Sequence, residues 1–236
     1  MVSPFSIALL GGSFNPPHIG HFRLAHEVME QLGIKTVLFI PCAIPPHKPA
    51  HDLLPFDLRV EMLEAYTRRH RGMEVCTIEN ERSGPSYTID TVRALAARYP
   101  ENSLHFIMGS EDIPTLPQWN NWQQLFAEVN TIALPRTCGA EADFVNTICT
   151  LWPDARPESC PGNPHCTLMR LPSGRTALYL PQPILDVRST LLRELFLEGR
   201  NLELLLPDDV LAVATTHRDT LCRYWVEPDT PATPDF

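Results

Sequence analysis

Residues 7–21, IALLGGSFNPPHIGH, contain the signals that decide the fold. Residues 7–10 form an apolar run of the length typical of a buried strand, and apolar residues then recur at helical spacing over residues 21–32. The glycines, prolines and histidines between them therefore lie where a strand passes into a helix. Glycine lets the backbone approach a ligand closely, and a helix N-terminus attracts anions. We interpret this crossing as a phosphate site; the alternative is a tight loop with two incidental histidines, which the full string disfavours.

The composition bounds the class of protein. The chain has 236 residues, enough for one large domain or two small ones, with 44% hydrophobic and 20% charged residues. No apolar run reaches membrane-spanning length, and the N-terminus has no secretion-signal pattern. We therefore expect a cytoplasmic protein with no membrane partner.

The net charge of −9 argues against a general nucleic-acid binder but permits a small anionic ligand at a local cluster of donors. Seven cysteines without a secretion signal predict reduced thiols. The stretch CPGNPHC offers a zinc alternative, with irregular spacing, whose ligands would be Cys160, His165 and Cys166 together with Cys149 or Cys138. Reduced thiols are the default interpretation, so no protein-held metal is expected.

Strand and helix signals alternate over the first 135 residues. Strands are predicted at 6–10, 36–41, 73–78, 104–108 and 130–134, and helices at 21–32, 57–68, 88–98 and 119–128. This alternation predicts an α/β fold, a doubly wound and mainly parallel sheet with helices on both faces. Such sheets bind ligands at the carboxyl ends of their strands, where the opening motif lies.

The later part of the chain has a different pattern. Residues 137–183 are rich in proline, and we interpret them as an elaborated connection within one domain over residues 1–226. This connection is predicted to contain a short helix at 143–151 and a hairpin between 167–171 and 175–180. Further helices are predicted at 189–198 and 208–215, and residues 227–236 as a loose tail.

The motif His18-Ile19-Gly20-His21 resembles that of the His-x-Gly-His nucleotidyltransferase superfamily. Five further motifs, in order, narrow the resemblance to the nicotinate-nucleotide adenylyltransferases: IPPHK (44–48), SYTIDT (86–91), FIMGSED…LPQW (106–119), LPR (134–136) and LDVRSTLLR (185–193). The resemblance implies a Rossmann-like nucleotidyltransferase fold. It also implies transfer of the adenylyl group of ATP to nicotinic acid mononucleotide, which forms deamido-NAD and pyrophosphate.

The resemblance also implies roles for individual residues. The catalytic residues would be His18, His21 and Arg193. The ATP-binding residues would be Gly11, Gly12, Ser13, Phe14, His18, His21, Gly109, Glu111, Ser189, Thr190 and Arg193. The mononucleotide-binding residues would be Ser13, Asn15, Lys48, Tyr87, Thr88, Trp119, Asn120 and Arg136.

For the acceptor mononucleotide, the resemblance implies that the Tyr87–Thr88 backbone and the Thr88 hydroxyl face the pyridine carboxylate. It also implies that Trp119 stacks on the pyridine ring. A purely structural interpretation is that Ser86 or Thr88 caps a helix. Trp122 is assigned to the core. No acidic partner for an amide is apparent, which favours an acid acceptor over its amide.

Two positions depart from the family pattern. Glu111 stands at the usual aspartate position, so either Glu111 or the neighbouring Asp112 would bind a ribose hydroxyl. Arg188 replaces a serine of the late motif, where it would add a phosphate contact or point to solvent.

The expected chemistry needs no general base, because the mononucleotide phosphate is already a nucleophilic oxyanion. Mg²⁺ is expected with ATP, held mainly by phosphate oxygens and water. Three alternatives stay open: an adenylyltransferase acting on nicotinamide mononucleotide or phosphopantetheine, a catalytically silent nucleotide sensor, and a class I tRNA-synthetase-like protein. The acidic charge and the lack of a Lys-Met-Ser-Lys-Ser-like loop disfavour the last.

Overall fold

A computed structural model describes residues 5–46, 53–137, 139–160 and 162–225. Lys48, which the sequence assigned to the mononucleotide, and the predicted tail lie outside the described residues. The single domain over residues 1–226 stays a prediction.

The described residues form one eight-stranded sheet. Its strands are β1 (Ser6–Gly12), β2 (Thr36–Pro41), β3 (Met73–Val75), β4 (Ser103–Gly109), β5 (Asn130–Leu134), β6 (Arg156–Glu158), β7 (Thr167–Arg170) and β8 (Thr176–Tyr179). Their order is β3-β2-β1-β4-β5-β8-β7-β6, and the pairs from β3 through β8 are parallel while β7 and β6 are antiparallel to their neighbours. The mainly parallel, doubly wound fold class is confirmed.

The helices are α1 (Ile19–Leu32), α2 (Phe56–Thr67), α3 (Thr88–Arg98), α4 (Trp122–Glu128), α5 (Ala140–Leu151), α6 (Ser189–Leu197), α7 (Asp208–Thr216) and α8 (Arg218–Trp225). Two segments form 3₁₀ helices, Ile78–Glu81 and Ser110–Gln118. The predicted helix at 119–128 begins only at Trp122, since the 3₁₀ segment containing Pro114 and Pro117 occupies the preceding turns. Helix α8 was not predicted from the sequence.

Strand β1 lies inside the sheet, between β2 and β4, and its side chains are buried on both faces. Ala8 and Leu10 join one hydrophobic cluster, which includes the apolar side of α1, and Ile7 and Leu9 join the other. A strand of this kind suits a parallel sheet covered by helices on both sides. The β1 register against β2 and β4 brings the carboxyl ends of these strands to one edge, where the opening motif follows β1.

The connection contributes three strands and a helix to this sheet. The hairpin predicted between 167–171 and 175–180 is present as β7 and β8, and the predicted helix at 143–151 is extended at its start to Ala140. The expectation of reduced thiols throughout is wrong, because Cys160 and Cys166 are joined in a disulfide. Within the described part of the chain, no group of three metal-ligating side chains comes together.

Among the described residues, no helix combines the length and apolar character that crossing a membrane requires. The cytoplasmic location stays a prediction.

His105 on β4 generates a prediction about stability and pH. Its Nε2 is buried without a hydrogen-bond partner among the described residues, and burial, with the nearby Arg175, lowers the pKa of His105 from 6.5 to about 4. The unfolded chain binds this proton near pH 6.5 and the folded chain resists it, so folding stability falls as the pH falls through this interval. In His105→Gln, the loss of unfolding free energy between about pH 7 and pH 4 should be roughly 2–3 kcal/mol smaller.

Urea unfolding at a series of pH values measures this difference. His165→Gln, at an exposed histidine, is the control and should follow the wild type. A His105→Gln curve parallel to the wild type would contradict the assignment.

Candidate active site

The buried side chain of Arg59, which is 1% exposed, supports the loop between β1 and α1. Its Nη1 donates to the Ser13 carbonyl at 2.8 Å and its Nε donates to the Leu54 carbonyl at 3.0 Å. Burial lowers the pKa of Arg59 to about 10. The guanidinium is therefore still charged near neutral pH, and it ties the opening loop to the segment before α2.

Asn15 makes a second connection in the same loop. Its Oδ1 accepts hydrogen bonds from the Leu54 backbone N–H at 3.1 Å and from Trp225 Nε1 at 3.3 Å. Asn15 is 3% exposed, and although it lines the cavity described below, this oxygen is engaged with the protein.

Phe14 anchors the loop through its side chain. Its φ is 47°, in the left-handed region that few non-glycine residues adopt, and its ring is buried against the rings of His21 and Phe39. A well-packed aromatic ring stabilises a backbone conformation that is strained by itself. Phe14 thus shapes the loop from the core and does not line either cavity.

The rings of the two histidines are in contact at the start of α1, tilted by 34° to each other with ring centroids 3.8 Å apart. The His18 backbone N–H donates to His21 Nδ1 at 3.2 Å, which leaves Nε2 as the protonated nitrogen of a neutral His21. Burial, with a contribution from Arg136, lowers the pKa of His18 from 6.5 to about 3, so this ring is neutral. A Cβ at Gly20 would lie 3.0 Å from the His18 ring, so any larger residue there would require that ring to shift.

The start of α6 packs against the same loop. Ser189 Oγ donates to the Pro16 carbonyl at 2.9 Å, and Arg193 Nη1 donates to the Asn15 carbonyl at 3.0 Å. These two hydrogen bonds, across 173 and 178 positions of the chain, join the late motif directly to the opening motif. The Arg188 guanidinium pairs with Asp186 at 3.1 Å, exposed at the rim.

Two adjoining cavities open at this edge of the sheet. The larger, about 520 Å³, lies between the opening motif and α6. Of the predicted site residues, it is lined by Gly11, Gly12, Ser13, Asn15, His18, His21, Gly109, Trp119, Arg136, Ser189, Thr190 and Arg193. The structure therefore brings together most of the residues assigned to ATP.

The smaller cavity, about 350 Å³, lies between the end of β2 and the start of α3. Of the predicted site residues, it is lined by Gly11, Gly12, Ser13, Tyr87, Thr88, Trp119 and Asn120. Trp119 lines both cavities, with its ring edge toward Phe106 and its Nε1 donating to Thr115 Oγ1 at 3.2 Å. Arg136, assigned to the mononucleotide, lines only the larger cavity.

Neither Ser86 nor Thr88 caps α3, because Tyr87 occupies the N-cap position and no side chain caps the helix. Ser86 instead accepts a hydrogen bond on Oγ from the Ile44 N–H at 3.2 Å and donates its own N–H to the Ile44 carbonyl at 2.9 Å. These bonds join the segment after β2 to the start of α3, so the two sides of the smaller cavity are connected.

Two acidic residues, Glu79 and Asp112, line the smaller cavity, contrary to the sequence-based expectation. Glu79 is 8% exposed and lines it; its Oε1 accepts from Thr91 Oγ1 at 2.7 Å and its Oε2 from the Ala43 N–H at 3.4 Å. The carboxylate oxygens are thus engaged with α3 and with the segment after β2. The Cys42 thiol lies beside them, and burial, with the Glu79 charge, raises its pKa to about 11, so it stays protonated.

The structure separates the two candidate acids after β4. Glu111 Oε1 accepts from the N–H groups of Arg136 and Thr137 at 2.7 and 3.1 Å, and Glu111 lines neither cavity. Asp112 lines both cavities, and its Oδ2 accepts from the Gly109 N–H at 3.3 Å. The geometry therefore favours Asp112 over Glu111 for a ligand contact.

Sequence reasoning missed Arg59, Glu79 and Arg23, the last of which lines the larger cavity. Arg59 and Glu79 occupy ordinary helical positions, and nothing in their neighbourhood in the chain signals burial. Arg23 follows the motif by two residues, off the apolar side of α1, and a charged residue at such a position is equally typical of a solvated helix face.

Residues 9–195 match the family described as cytidylyltransferase-like, a class consistent with the fold and the cavities. A relative from Geobacter metallireducens, named probable nicotinate-nucleotide adenylyltransferase, is 34% identical over 89% of this chain and 95% of its own. One of the same name from Halalkalibacterium halodurans is 35% identical over 86% of each chain. The chain belongs to the nicotinate-nucleotide adenylyltransferase family.

A solved structure has the same fold at low sequence identity. The Plasmodium falciparum nicotinic acid mononucleotide adenylyltransferase complexed with NaAD aligns with a TM-score of 0.69 and 14% identity, covering 91% of this chain and 97% of that one.

Arg59 generates a prediction about the integrity of the site. Arg59→Met would leave the Ser13 and Leu54 carbonyls buried without their donors, at a cost of about 1–3 kcal/mol each. We expect the unfolding free energy to fall by about 2–4 kcal/mol in urea. The control is Arg68→Met, at an exposed arginine paired with Glu64 at the end of the same helix, which should stay within about 0.5 kcal/mol of the wild type. Equal stabilities for the two variants would contradict the structural role of Arg59.

Proposed function

We propose that this chain transfers the adenylyl group of ATP to nicotinic acid mononucleotide, forming deamido-NAD and pyrophosphate. The observation that carries the proposal is the pair of adjoining cavities that share Gly11, Gly12, Ser13 and Trp119 as a common boundary. Two substrates bound side by side across this boundary would present the acceptor phosphate to the α-phosphate of ATP. Relatives that align with this chain over most of their length are named for this activity, which supports the proposal.

The reaction is an in-line displacement. An oxygen of the mononucleotide phosphate attacks the α-phosphorus of ATP, a new P–O bond forms, and the bond to the β-phosphate oxygen breaks so that its electron pair leaves with pyrophosphate. The attacking oxygen is already an anion at neutral pH, so no general base is needed. The chain's task is to position both substrates and to stabilise the charge that develops.

The residues of the larger cavity suit that task. His21 would donate from Nε2 to the reacting phosphates, because its Nδ1 is occupied by the His18 N–H. His18 is neutral and would act as a single hydrogen-bond donor, not as a cation. Ser189, Thr190 and Arg193 would hold the β- and γ-phosphates at the start of α6, where the helix dipole favours anions.

Asp112 takes the place of Glu111 as the proposed ribose contact, because it lines both cavities while Glu111 binds backbone N–H groups of 136–137. Arg136 lies in the larger cavity beside His18, so we assign it to the phosphates that meet at the boundary. Lys48 keeps its proposed contact with the mononucleotide phosphate on the family resemblance alone.

Mg²⁺ would enter with ATP. Asp112 is a carboxylate within reach of this cavity, and the described residues bring together no cluster that would form a protein cage for a metal. Bound to phosphate oxygens, the ion would neutralise charge on the triphosphate and the leaving pyrophosphate. The partners are thus small molecules.

The acceptor preference is the first prediction from this proposal. The Thr88 backbone N–H and hydroxyl would offer donors in the smaller cavity, and the Glu79 oxygens already accept from Thr91 and Ala43. These donors satisfy a carboxylate but oppose the N–H₂ of an amide. The kcat/KM for nicotinic acid mononucleotide should exceed that for nicotinamide mononucleotide by roughly 10⁴-fold.

The assay follows pyrophosphate release from Mg-ATP with nicotinic acid mononucleotide, nicotinamide mononucleotide or phosphopantetheine. Trp119→Ala should weaken use of both pyridine acceptors without reversing their order, since stacking does not distinguish the ring substituents. Equal use of acid and amide would contradict the carboxylate pocket, and tight ATP binding without turnover would favour a sensor.

The role of His21 is the second prediction. If its Nε2 stabilises charge that develops during transfer, His21→Ala should lower kcat by roughly a hundredfold or more, with smaller changes in KM for either substrate. His165→Ala, at an exposed histidine of the connection, should leave kcat unchanged. A wild-type kcat in His21→Ala would assign His21 to the loop structure alone.

A further inference from the structure

The charges that line the smaller cavity are unfavourable for an acidic acceptor. The lining includes the carboxylates of Glu79 and Asp112, and among the described residues it includes no arginine, lysine or histidine. The proposed acceptor carries a carboxylate on its ring. Like charges repel each other more strongly in a partly buried site than in water. A cavity of this composition therefore needs positive charge from beyond its lining if it is to hold an acid.

Arg82 lies one hydroxyl group away from Glu79 and can supply this charge. Arg82 Nη2 donates to Thr91 Oγ1 at 2.7 Å, and Thr91 Oγ1 donates to Glu79 Oε1 at 2.7 Å. A hydroxyl has one proton and two lone pairs, so Thr91 can accept from the guanidinium while it donates to the carboxylate. Thr91 and Glu79 are buried, where such linked hydrogen bonds are strengthened. Arg82, Thr91 and Glu79 thus form a hydrogen-bond network that ends at the cavity.

This network crosses the wall of the smaller cavity. Glu79 and Ser86 line both the smaller cavity and an adjoining cavity of about 320 Å³, so they form the wall between the two. Arg82 lines the adjoining cavity and not the smaller one. Arg82 therefore acts on a bound acceptor from behind this wall, without touching it.

The network also holds the segment that is proposed to bind the ring carboxylate. Thr91 lies in the first turn of α3, three residues after Thr88, and its backbone N–H donates to the Tyr87 carbonyl at 3.3 Å. Glu79 Oε2 accepts from the Ala43 N–H at 3.4 Å, which connects this turn to the segment after β2. A change in the charge of the network therefore acts next to the proposed carboxylate contacts.

A second guanidinium, that of Arg59, offsets part of the same charge. Burial lowers the pKa of Arg59 to about 10, and the charge of Glu79 opposes this shift, so the two groups interact electrostatically. Arg59 is committed to two backbone carbonyls, and its substitution would disturb the opening loop. Arg82 bonds to a side chain of α3 instead, so its charge can be removed without that disturbance.

We propose that Arg82 is a positioning residue that determines acceptor specificity. Through Thr91 it offsets the charge of Glu79, and the smaller cavity thereby accepts a ring carboxylate in preference to the neutral amide. The inference rests on the proposed function in taking a pyridine mononucleotide as the acceptor, and it adds a residue that none of the six sequence motifs contains.

The experiment compares the two pyridine acceptors in the pyrophosphate assay. Arg82→Met removes the charge and leaves Glu79 uncompensated, so kcat/KM for nicotinic acid mononucleotide should fall about tenfold. The amide has no carboxylate to repel, so kcat/KM for nicotinamide mononucleotide and KM for ATP should stay within about threefold of the wild type. Arg82→Lys keeps a charge and a donor and should preserve the preference. Arg98→Met, at an exposed arginine of α3 paired with Glu81, is the matched control and should follow the wild type.

Glu79→Gln separates a role in charge from a role in structure. It removes the negative charge and keeps an oxygen that can accept from Thr91, so the acid-to-amide ratio of kcat/KM should rise above that of the wild type. The double variant Arg82→Met, Glu79→Gln carries neither charge, and its ratio should return to within about threefold of the wild type. Opposite effects of the two single substitutions are expected only if their charges offset each other.

Three results would overturn the role of Arg82. An unchanged acid-to-amide ratio in Arg82→Met would remove Arg82 from specificity, and an equal loss of both acceptors would assign it to stability. A lower ratio in Glu79→Gln, like that expected for Arg82→Met, would make the network structural.

The proposed function is tested separately by the wild type. If the wild type uses either pyridine mononucleotide, the ratios above decide the role of Arg82. If it uses neither, the proposed function fails, and calorimetric titration of the same variants with the two mononucleotides replaces kcat/KM. An acid affinity that Arg82→Met does not weaken relative to the amide would then overturn the inference. Failure of the wild type to bind the acid mononucleotide would overturn both proposals.

Discussion

The buried guanidinium of Arg59 is the interaction on which the candidate site depends. Its bonds to the carbonyls of Ser13 and Leu54 hold the loop after the first strand against the segment before α2. The Ser13 carbonyl lies in a loop with no regular secondary structure, beside the left-handed Phe14, and its donor comes from Arg59 in α2. The Arg59 guanidinium supplies the donors, and the Arg59 side chain lines neither cavity. The paired rings of His18 and His21 and the hydrogen bonds from α6 to the loop depend on this position of the loop.

Around both cavities, carboxylates accept hydrogen bonds from neighbouring groups in the same way. Glu79 joins α3 to the segment after β2, Glu111 joins the 3₁₀ segment to residues 136–137, and Glu27 holds Arg23. In each case a carboxylate accepts from groups that would otherwise be left unpaired at the edge of a cavity. Burying an acid is unfavourable unless it is hydrogen-bonded, and the two buried acids, Glu27 and Glu79, are hydrogen-bonded to neighbouring groups. Glu111 is exposed and makes its contacts at the surface.

Such contacts also separate residues that the sequence places next to each other. Glu111 and Asp112 are equally good candidates in the chain, and a 3₁₀ turn directs one to the backbone at 136–137 and the other to the cavities. Ser189 and Arg193 bond to the opening loop while they line the larger cavity. They connect the two halves of the site, so a structural role and a ligand role are compatible in the same side chains.

The sequence by itself determined the fold class. It also predicted a candidate site at the end of β1, and most of the residues that it assigned to ATP line the larger cavity. Both follow from the pattern of residues along the chain. Apolar periodicity specifies strands and helices, and the loops that follow parallel strands lie at one edge of the sheet. The tertiary structure decided the rest. Only packing between distant segments buries Arg59, brings Glu79 to the smaller cavity, and joins Asn163 to Gln31 across 132 positions. Burial and hydrogen-bond partnership depend on neighbours in space, and the spacing of residues along one chain does not specify them.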